Sequence, residues 1–162
     1  MEIADGTNPN IASSFNGLNR GLVAYYPFNG NTKDYSGNGK HGLNDGAQLT
    51  PDRFGQSGQA YFFNGSSKIR IPHHEDFNVY PITISAWFRT TDSNPGHLID
   101  KYNNATWNGW GLSVLDNGVG VSGTGFYLVG RNDALISGYD GYPIFETQTG
   151  LNDGRWHQLV IS

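Results

Sequence analysis

The segment Ile82-Thr-Ile-Ser-Ala-Trp-Phe-Arg-Thr90 decides the fold class of this chain. Apolar side chains occupy every second position from Ile82 to Phe88, and the alternate positions hold Thr, Ser, Trp and Arg. Successive side chains of a β-strand point to opposite faces, so this period of two predicts a strand with one buried and one polar face. Trp87 belongs to the polar face, where it either lines a concave binding surface or lies beneath a loop.

The same period of two recurs in three shorter runs, at residues 68–71, 110–114 and 156–161. Around these runs, Asn-Gly and Asp-Gly dipeptides occur ten times between Asp5 and Gly154. Such dipeptides tolerate the positive φ that tight hairpin turns require. Many short alternating strands joined by such turns predict an all-β chain, folded as a two-sheet antiparallel sandwich.

The composition agrees with this pattern and excludes several classes of protein. The 162 residues include 23 Gly, 4 Trp, 9 Tyr and 9 Phe, a mixture typical of short strands and tight turns rather than of a helical bundle. A formal net charge of −4 provides no basic surface for nucleic acid or an anionic membrane. No apolar stretch approaches the roughly 20 residues of a membrane-inserted helix. The absence of Cys excludes disulfides and a Cys nucleophile.

The composition changes near residue 20. Residues 1–20 are rich in Asn, Ser, Gly and Pro, and they hold too few apolar side chains to offset the entropy of ordering, so a linker or N-terminal extension is expected there. Residues 21–162 carry the strand signals and are expected to form one domain. The N-terminus has neither a basic n-region nor an apolar h-region, and therefore does not predict a signal peptide.

Five segments, read in order, carry a resemblance to a known family. They are GLVAYYPFNG (21–30), DYSGN with HG (34–42), AYFFNG (60–65), ITISAW (82–87) and WHQLVI (156–161). Their succession resembles the laminin-G-like members of the concanavalin A-like lectin and glucanase superfamily. The resemblance implies a jelly-roll sandwich of two curved antiparallel sheets over residues 21–162. It also implies a non-catalytic module of a secreted or cell-surface bacterial protein that binds carbohydrate or mediates adhesion, often with a structural calcium ion.

The chain departs from this family pattern at its C-terminal end. Family domains usually continue past the Trp156-His157 strand with several more strands, whereas this sequence stops at Ser162. We therefore expect a jelly roll that lacks its last strands, either as a fragment or completed by strands from another segment or chain. Because unpaired strand edges invite strand addition, a protein-interaction, adhesion or spacer role is the alternative to glycan binding.

Candidate glycan-binding residues come from two segments that combine aromatic and amide side chains. Sugar rings stack on Trp and Tyr, and their hydroxyls bond Asn, Asp, Arg or Gln. The segment 101–110 has this composition in a predicted loop, and a second cluster surrounds residue 140. The predicted ligand-binding residues are Tyr102, Asn104, Trp107, Asn108, Tyr139 and Asp140. Filling or capping the sandwich is the open alternative for Trp107, and it is the expectation for the strand residues Trp87, Trp110 and Trp156.

A structural calcium site is predicted around the turn Asp34-Tyr-Ser-Gly-Asn38. Calcium takes about six to eight hard oxygens from carboxylates, amides and loop carbonyls. Asn31, Asp34 and Asn38 offer such oxygens in one loop, and the family resemblance adds Asn64. The alternative is an Asx-turn, in which Asp34 and Asn38 only satisfy their own backbone.

Two patterns that could indicate catalysis or a nucleotide cofactor fail on their context. Residues 118–123 match the letters G-x-G-x-x-G, but a strand-like run follows where pyrophosphate binding needs a helix. Retaining glucanases related to this family carry two glutamates on one strand face, as Glu-x-Asp-x-x-Glu. The three glutamates here, Glu2, Glu75 and Glu146, do not form that pattern, so we predict that the protein is not an enzyme.

Overall fold

The structure is a computed structural model, and it describes residues 20–78, 81–94, 96–103, 108–114, 124–129, 145–147 and 150–162. The contacts of the chain fall into two compact units, Met1–Asn78 and Val79–Ser162. In the described ranges every regular element is a strand apart from one 3-10 turn, and all the paired strands are antiparallel. The all-β class predicted from the sequence is confirmed. No helix in those ranges is long and apolar enough to cross a membrane.

The first unit contains four short strands and the 3-10 turn. In chain order they are β1 (Leu43–Asp45), β2 (Gln48–Thr50), β3 (Ala60–Phe62), β4 (Lys68–Arg70) and the 3-10 turn Glu75–Asn78. β1 pairs with β4, and β2 pairs with β3. Among the described residues of this unit, Ala47 is the one apolar side chain that is buried, and the charged residues Asp34 and Lys40 are buried as well. The buried positions of this described part therefore include two charged side chains.

The second unit contains six strands in two sheets. In chain order they are β5 (Ile84–Phe88), β6 (Gly96–Asn103), β7 (Asn108–Val114), β8 (Thr124–Val129), β9 (Phe145–Thr147) and β10 (His157–Ile161). β6, β7, β8 and β9 form one sheet in sequence order, and β5 pairs with β10 in the other. Strand β8 occupies the run that follows the G-x-G-x-x-G letters, which confirms that no helix begins there.

The apolar core of the second unit takes side chains from both of its sheets. It consists of Ile84, Phe88, Trp110, Leu112, Val114 and Leu159, with Leu112 fully buried. These residues follow the alternation that the sequence predicts for β5, β7 and β10, because each strand directs every second side chain inward. Trp110 packs inside the core, as expected.

One element differs from the sequence-based prediction. The segment 101–110 was expected to be a loop, but β6 and β7 form a hairpin whose pairing extends from Lys101 opposite Trp110 to Asn103 opposite Asn108. Strand pairing satisfies backbone N–H and C=O groups whatever the polarity of the side chains, so a polar composition did not prevent it. Only residues 104–107 connect the two strands.

Candidate functional site

The predicted glycan-binding residues are only partly covered by the structure. Asn104, Trp107, Tyr139 and Asp140 lie outside the described residues. Tyr102 and Asn108 lie on β6 and β7 near the end of the hairpin, and their side chains are likewise outside the described part. The site formed by these residues stays a prediction.

The structure draws attention to the outward face of the β5–β10 sheet. In that sheet Trp87 lies opposite Gln158, and Ser85 lies opposite Val160. Continued by one residue at either end, the same register places Arg89 opposite Trp156 and Thr83 opposite Ser162. These pairs point to the same side as Trp87, because the side chains of a strand alternate between its faces. We call this surface the Trp87 face, and its residues are Thr83, Ser85, Trp87, Arg89, Trp156, Gln158, Val160 and Ser162.

The Trp87 face is open, in contrast to the core face of the same strands. Trp87 is 44% exposed and Val160 is 57% exposed, whereas Ile84 and Leu159 on the opposite face are buried. Trp87 therefore does not fill the core of the sandwich, which was one part of the expectation, and its capping of the sandwich stays a prediction. The physical reason is the phase of the alternation, since Trp87 is out of step with Ile84 and Phe88, which point to the core.

Polar side chains surround Trp87 and are ordered by contacts across the strands. The Gln158 amide Nε2 donates a hydrogen bond to Ser85 Oγ at 3.3 Å. This bond uses the amide nitrogen of Gln158, whose side-chain carbonyl oxygen is an acceptor by its chemistry. At one end of the face, Thr83 Oγ1 donates to Ser162 Oγ at 3.3 Å.

At the other end of the face, Arg89 lies over a second indole ring. Its guanidinium carbon is 5.3 Å from the centroid of the Trp156 ring, which is a cation–π distance. Trp156 itself is half-buried. No Asp or Glu in the described part of the chain forms an ion pair with Arg89.

These features define what the Trp87 face can do chemically. An exposed indole offers a flat apolar surface, Gln158 offers an acceptor, and Arg89 offers several N–H donors in one plane. A flat ligand could bury its apolar face against the indole of Trp87 while the hydroxyl groups at its edge form hydrogen bonds with Gln158 and Arg89. The eight residues of the face include no Asp, Glu, His or Lys.

The predicted calcium turn is a hydrogen-bonded loop centred on the buried Asp34. Oδ1 of Asp34 accepts the backbone N–H groups of Tyr25 at 3.0 Å and Ser36 at 2.8 Å. Oδ2 accepts the Ser36 hydroxyl at 2.8 Å and the Lys40 N–H at 3.0 Å. Burial alone would raise the pKa of Asp34, but these four bonds outweigh it and hold the pKa below its ordinary value.

The other predicted calcium ligands also bond to nearby backbone. Asn31 Oδ1 accepts the N–H of Lys33 at 2.9 Å, and Asn38 Nδ2 donates to two backbone carbonyl oxygens upstream, of which that of Leu22 is 2.8 Å away. Asn64 lies in a different turn, between β3 and β4, where its Oδ1 accepts the N–H of Ser67 at 2.9 Å. Within the described ranges no group of three or more His, Cys, Asp or Glu residues is placed to hold a metal ion. The bonding favours the Asx-turn alternative at Asp34, and calcium binding stays a prediction.

Sequence reasoning missed the buried partners of this turn. The Tyr26 hydroxyl donates to the Lys40 carbonyl at 2.6 Å, and burial together with the charge of Asp34 raises the Tyr26 pKa to about 12. The Lys40 ammonium is almost fully buried and lies 2.9 Å from Asp76 Oδ2. The sequence gives no signal that Lys40 is buried, because its partner Asp76 is 36 residues further along the chain. The charge of Lys40 is compensated by Asp76, and that of Asp34 by its four hydrogen bonds.

Comparison with known proteins adds no further assignment. No family model matches this chain, and searches of curated proteins and of solved structures returned no match either.

Proposed function

We propose that the protein is a non-catalytic glycan-binding module and that the Trp87 face is its binding surface. The observation that carries the proposal is a partly exposed Trp87, directly opposite Gln158, on a sheet face whose other residues are polar apart from Trp156 and Val160. The family resemblance supports the same class of function, together with a jelly-roll sandwich and a secreted or cell-surface location. The Trp87 face replaces the 101–110 segment as the surface on which we would look for the ligand first.

The expected affinity follows from the small size of the face. A sugar ring that covers about 100 Å² of the indole would gain about 2.5 kcal/mol from apolar burial. Two or three hydrogen bonds add about 1 kcal/mol each, and the lost freedom of the ligand offsets part of the total. We therefore expect dissociation constants in roughly the micromolar to millimolar range for a short oligosaccharide.

The residues of the face support binding rather than hydrolysis. Glycoside cleavage by the usual mechanism needs two carboxyl groups on either side of the scissile bond. The Trp87 face has no carboxylate, and its one charged side chain is Arg89. A ligand held there would leave chemically unchanged.

The proposal is tested by a glycan and polysaccharide array, probed with calcium and again with a chelator. We expect saturable binding to one glycan class that Trp87→Ala abolishes. Phe62→Ala is the matched control, because Phe62 is an exposed aromatic residue on a strand of the first unit. Equal binding by wild type and Trp87→Ala, both shown to be folded by circular dichroism, would refute the assignment of the face. Loss of binding in chelator would bring the Asp34 loop into the function as a calcium site.

A protein-interaction or adhesion role is the second candidate. The first unit exposes several large apolar side chains on and near its short strands, and these are Leu43, Leu49, Phe54, Phe62 and Phe63. Exposed apolar residues in such number favour contact with another protein or with a strand supplied from elsewhere. Absence of any glycan ligand, together with a Phe62→Ala-sensitive protein contact, would favour this role.

A further inference from the structure

We infer that the Trp87 face selects an acidic glycan, and that Arg89 binds the carboxylate or sulfate group of that glycan. The inference rests on the proposed glycan-binding function and names the chemical class of its ligand. It is based on the distance of Arg89 from Trp87 along the strand, on the contact of the Arg89 guanidinium with Trp156, and on the lack of an ion pair between Arg89 and any described carboxylate.

The position of Arg89 matches the geometry of a substituted sugar. Arg89 is two residues from Trp87 on the same face, so their Cα atoms are about 7 Å apart along the strand. That separation is of the order of one sugar residue. A pyranose ring stacked on Trp87 would therefore place an acidic group on its own ring, or on the next ring, within reach of the guanidinium.

The side chain of Arg89 is held ready for such a group. Its guanidinium lies 5.3 Å from the Trp156 ring centroid, and Trp156 is half-buried and so provides a fixed support. A cation–π contact does not use up the N–H donors of a guanidinium, whose fork arrangement fits a carboxylate or sulfate. Less side-chain freedom is then lost when the ligand binds.

The charge of Arg89 is not compensated by its described surroundings. It is the one charged residue of the Trp87 face, and no carboxylate in the described ranges forms an ion pair with it. The chain as a whole has a formal net charge of −4, but the carboxylates nearest in sequence to Arg89 and Trp156 bond elsewhere. Asp92 accepts hydrogen bonds from Asn94, and Asp153 contacts Arg155 and His157. An anionic group at the face therefore meets a local positive charge, which gives specificity over neutral sugars.

The test compares acidic and neutral oligosaccharides of the same backbone by isothermal titration calorimetry. One pair is oligogalacturonate and its methyl ester, and the other is sulfated and unsulfated dextran oligomers. We expect the wild type to favour the acidic member of at least one pair by about tenfold or more, as a charge-assisted hydrogen bond provides. The pair that is discriminated identifies the anion as carboxylate or sulfate. The preference should weaken as salt is raised.

The variants separate recognition of the anion from recognition of the sugar. Arg89→Gln should weaken binding of the acidic member more than that of the neutral member and so remove the preference between them, while Arg89→Lys keeps part of that preference. Arg53→Gln is the matched control, because the Arg53 guanidinium also stacks on an aromatic ring, 4.3 Å from the centroid of Phe54. This control should retain the full preference.

Three results would overturn the inference. Equal affinity for acidic and neutral members, with binding that still requires Trp87, would leave the glycan-binding proposal intact and remove only the acidic class. Equal binding of polyglutamate, which has no sugar ring, would show general attraction to polyanions instead. Failure of every glycan to bind, with Trp87→Ala folded and indistinguishable from the wild type, would overturn the proposed function itself.

Discussion

The substitution Asp34→Asn replaces one carboxylate oxygen of the buried turn by an NH2 group, which donates hydrogen bonds and cannot accept them. Each oxygen of Asp34 accepts two bonds in the folded protein. If the remaining oxygen keeps the Oδ1 position, the Ser36 hydroxyl can rotate away from the new NH2, but the Lys40 N–H is left without its acceptor. The opposite orientation is worse, because two backbone N–H groups lose their acceptor.

The loss of stability in Asp34→Asn can be estimated from the number of buried N–H groups that lose their acceptor. Leaving a buried donor unsatisfied costs about 1–3 kcal/mol, and the bonds that survive lose the extra strength that an ionised acceptor provides. We therefore expect Asp34→Asn to lower the free energy of unfolding by about 2–4 kcal/mol. Asp52→Asn is the matched control, because both side-chain hydrogen bonds of Asp52 fall on a single oxygen, Oδ1, which accepts the N–H groups of Phe54 and Gln56. Asparagine can keep both, so the control should cost less than about 1 kcal/mol.

Urea unfolding followed by far-UV circular dichroism measures both variants, with amide hydrogen exchange at Lys40 as the local readout. The pH dependence adds a second check. Because the folded-state pKa of Asp34 lies below its ordinary value of 3.8, its contribution to stability is present above that pH and is lost as the pH falls through the folded pKa. The difference between wild type and Asp34→Asn should therefore shrink below about pH 4. An Asp34→Asn protein as stable as the control at pH 7 would refute the hydrogen-bonding account of this turn.

Three further perturbations have defined outcomes. Gly42→Ala would place a Cβ 2.7 Å from Ile69 Cγ2, so we expect a loss of about 1–3 kcal/mol in urea unfolding, whereas Gly96→Ala meets no atom within 4 Å and should be nearly neutral. Leu112→Ala removes a fully buried side chain and should cost about 3–5 kcal/mol by the same measurement, and a cost under 1 kcal/mol would contradict the assigned core. Burial and the charge of Asp34 raise the pKa of Tyr26 to about 12, so its contribution to stability is complete below the unfolded pKa of about 10 and is lost as the pH rises toward 12. Tyr26→Phe should remove this loss of stability at alkaline pH. A variant with the same alkaline unfolding profile as the wild type would show that other groups cause the loss.

The strands of the second unit could be predicted well because their signal is local. A period of two is contained within each run of residues, and it correctly assigned the inward side chains of β5, β7 and β10. It also placed Trp87 on the polar side of its strand. What it could not provide is the partner of Trp87, because Gln158 is 71 residues further along the chain and the pairing depends on the register of two distant strands.

The candidate site was harder to predict for the same physical reason. Composition favoured 101–110 as a binding loop, yet strand pairing places Tyr102 and Asn108 in a hairpin. In the Asp34 turn, local sequence allowed both a calcium site and an Asx-turn. Two of the donors that occupy the carboxylate, Tyr25 and Lys40, lie nine residues before it and six after it, beyond the reach of a local pattern.

The most direct test of the central claim is to observe the indole N–H signals of the four Trp residues by NMR while an acidic oligosaccharide is added. The account predicts that the Trp87 signal shifts in a saturable manner, that the Trp156 signal follows because Arg89 lies on its ring, and that the buried Trp110 signal stays in place. Single Trp→Phe variants at the four positions assign the four signals. Saturable binding that leaves the Trp87 signal unmoved and shifts only that of Trp107 would contradict the account and return the site to the 101–110 segment.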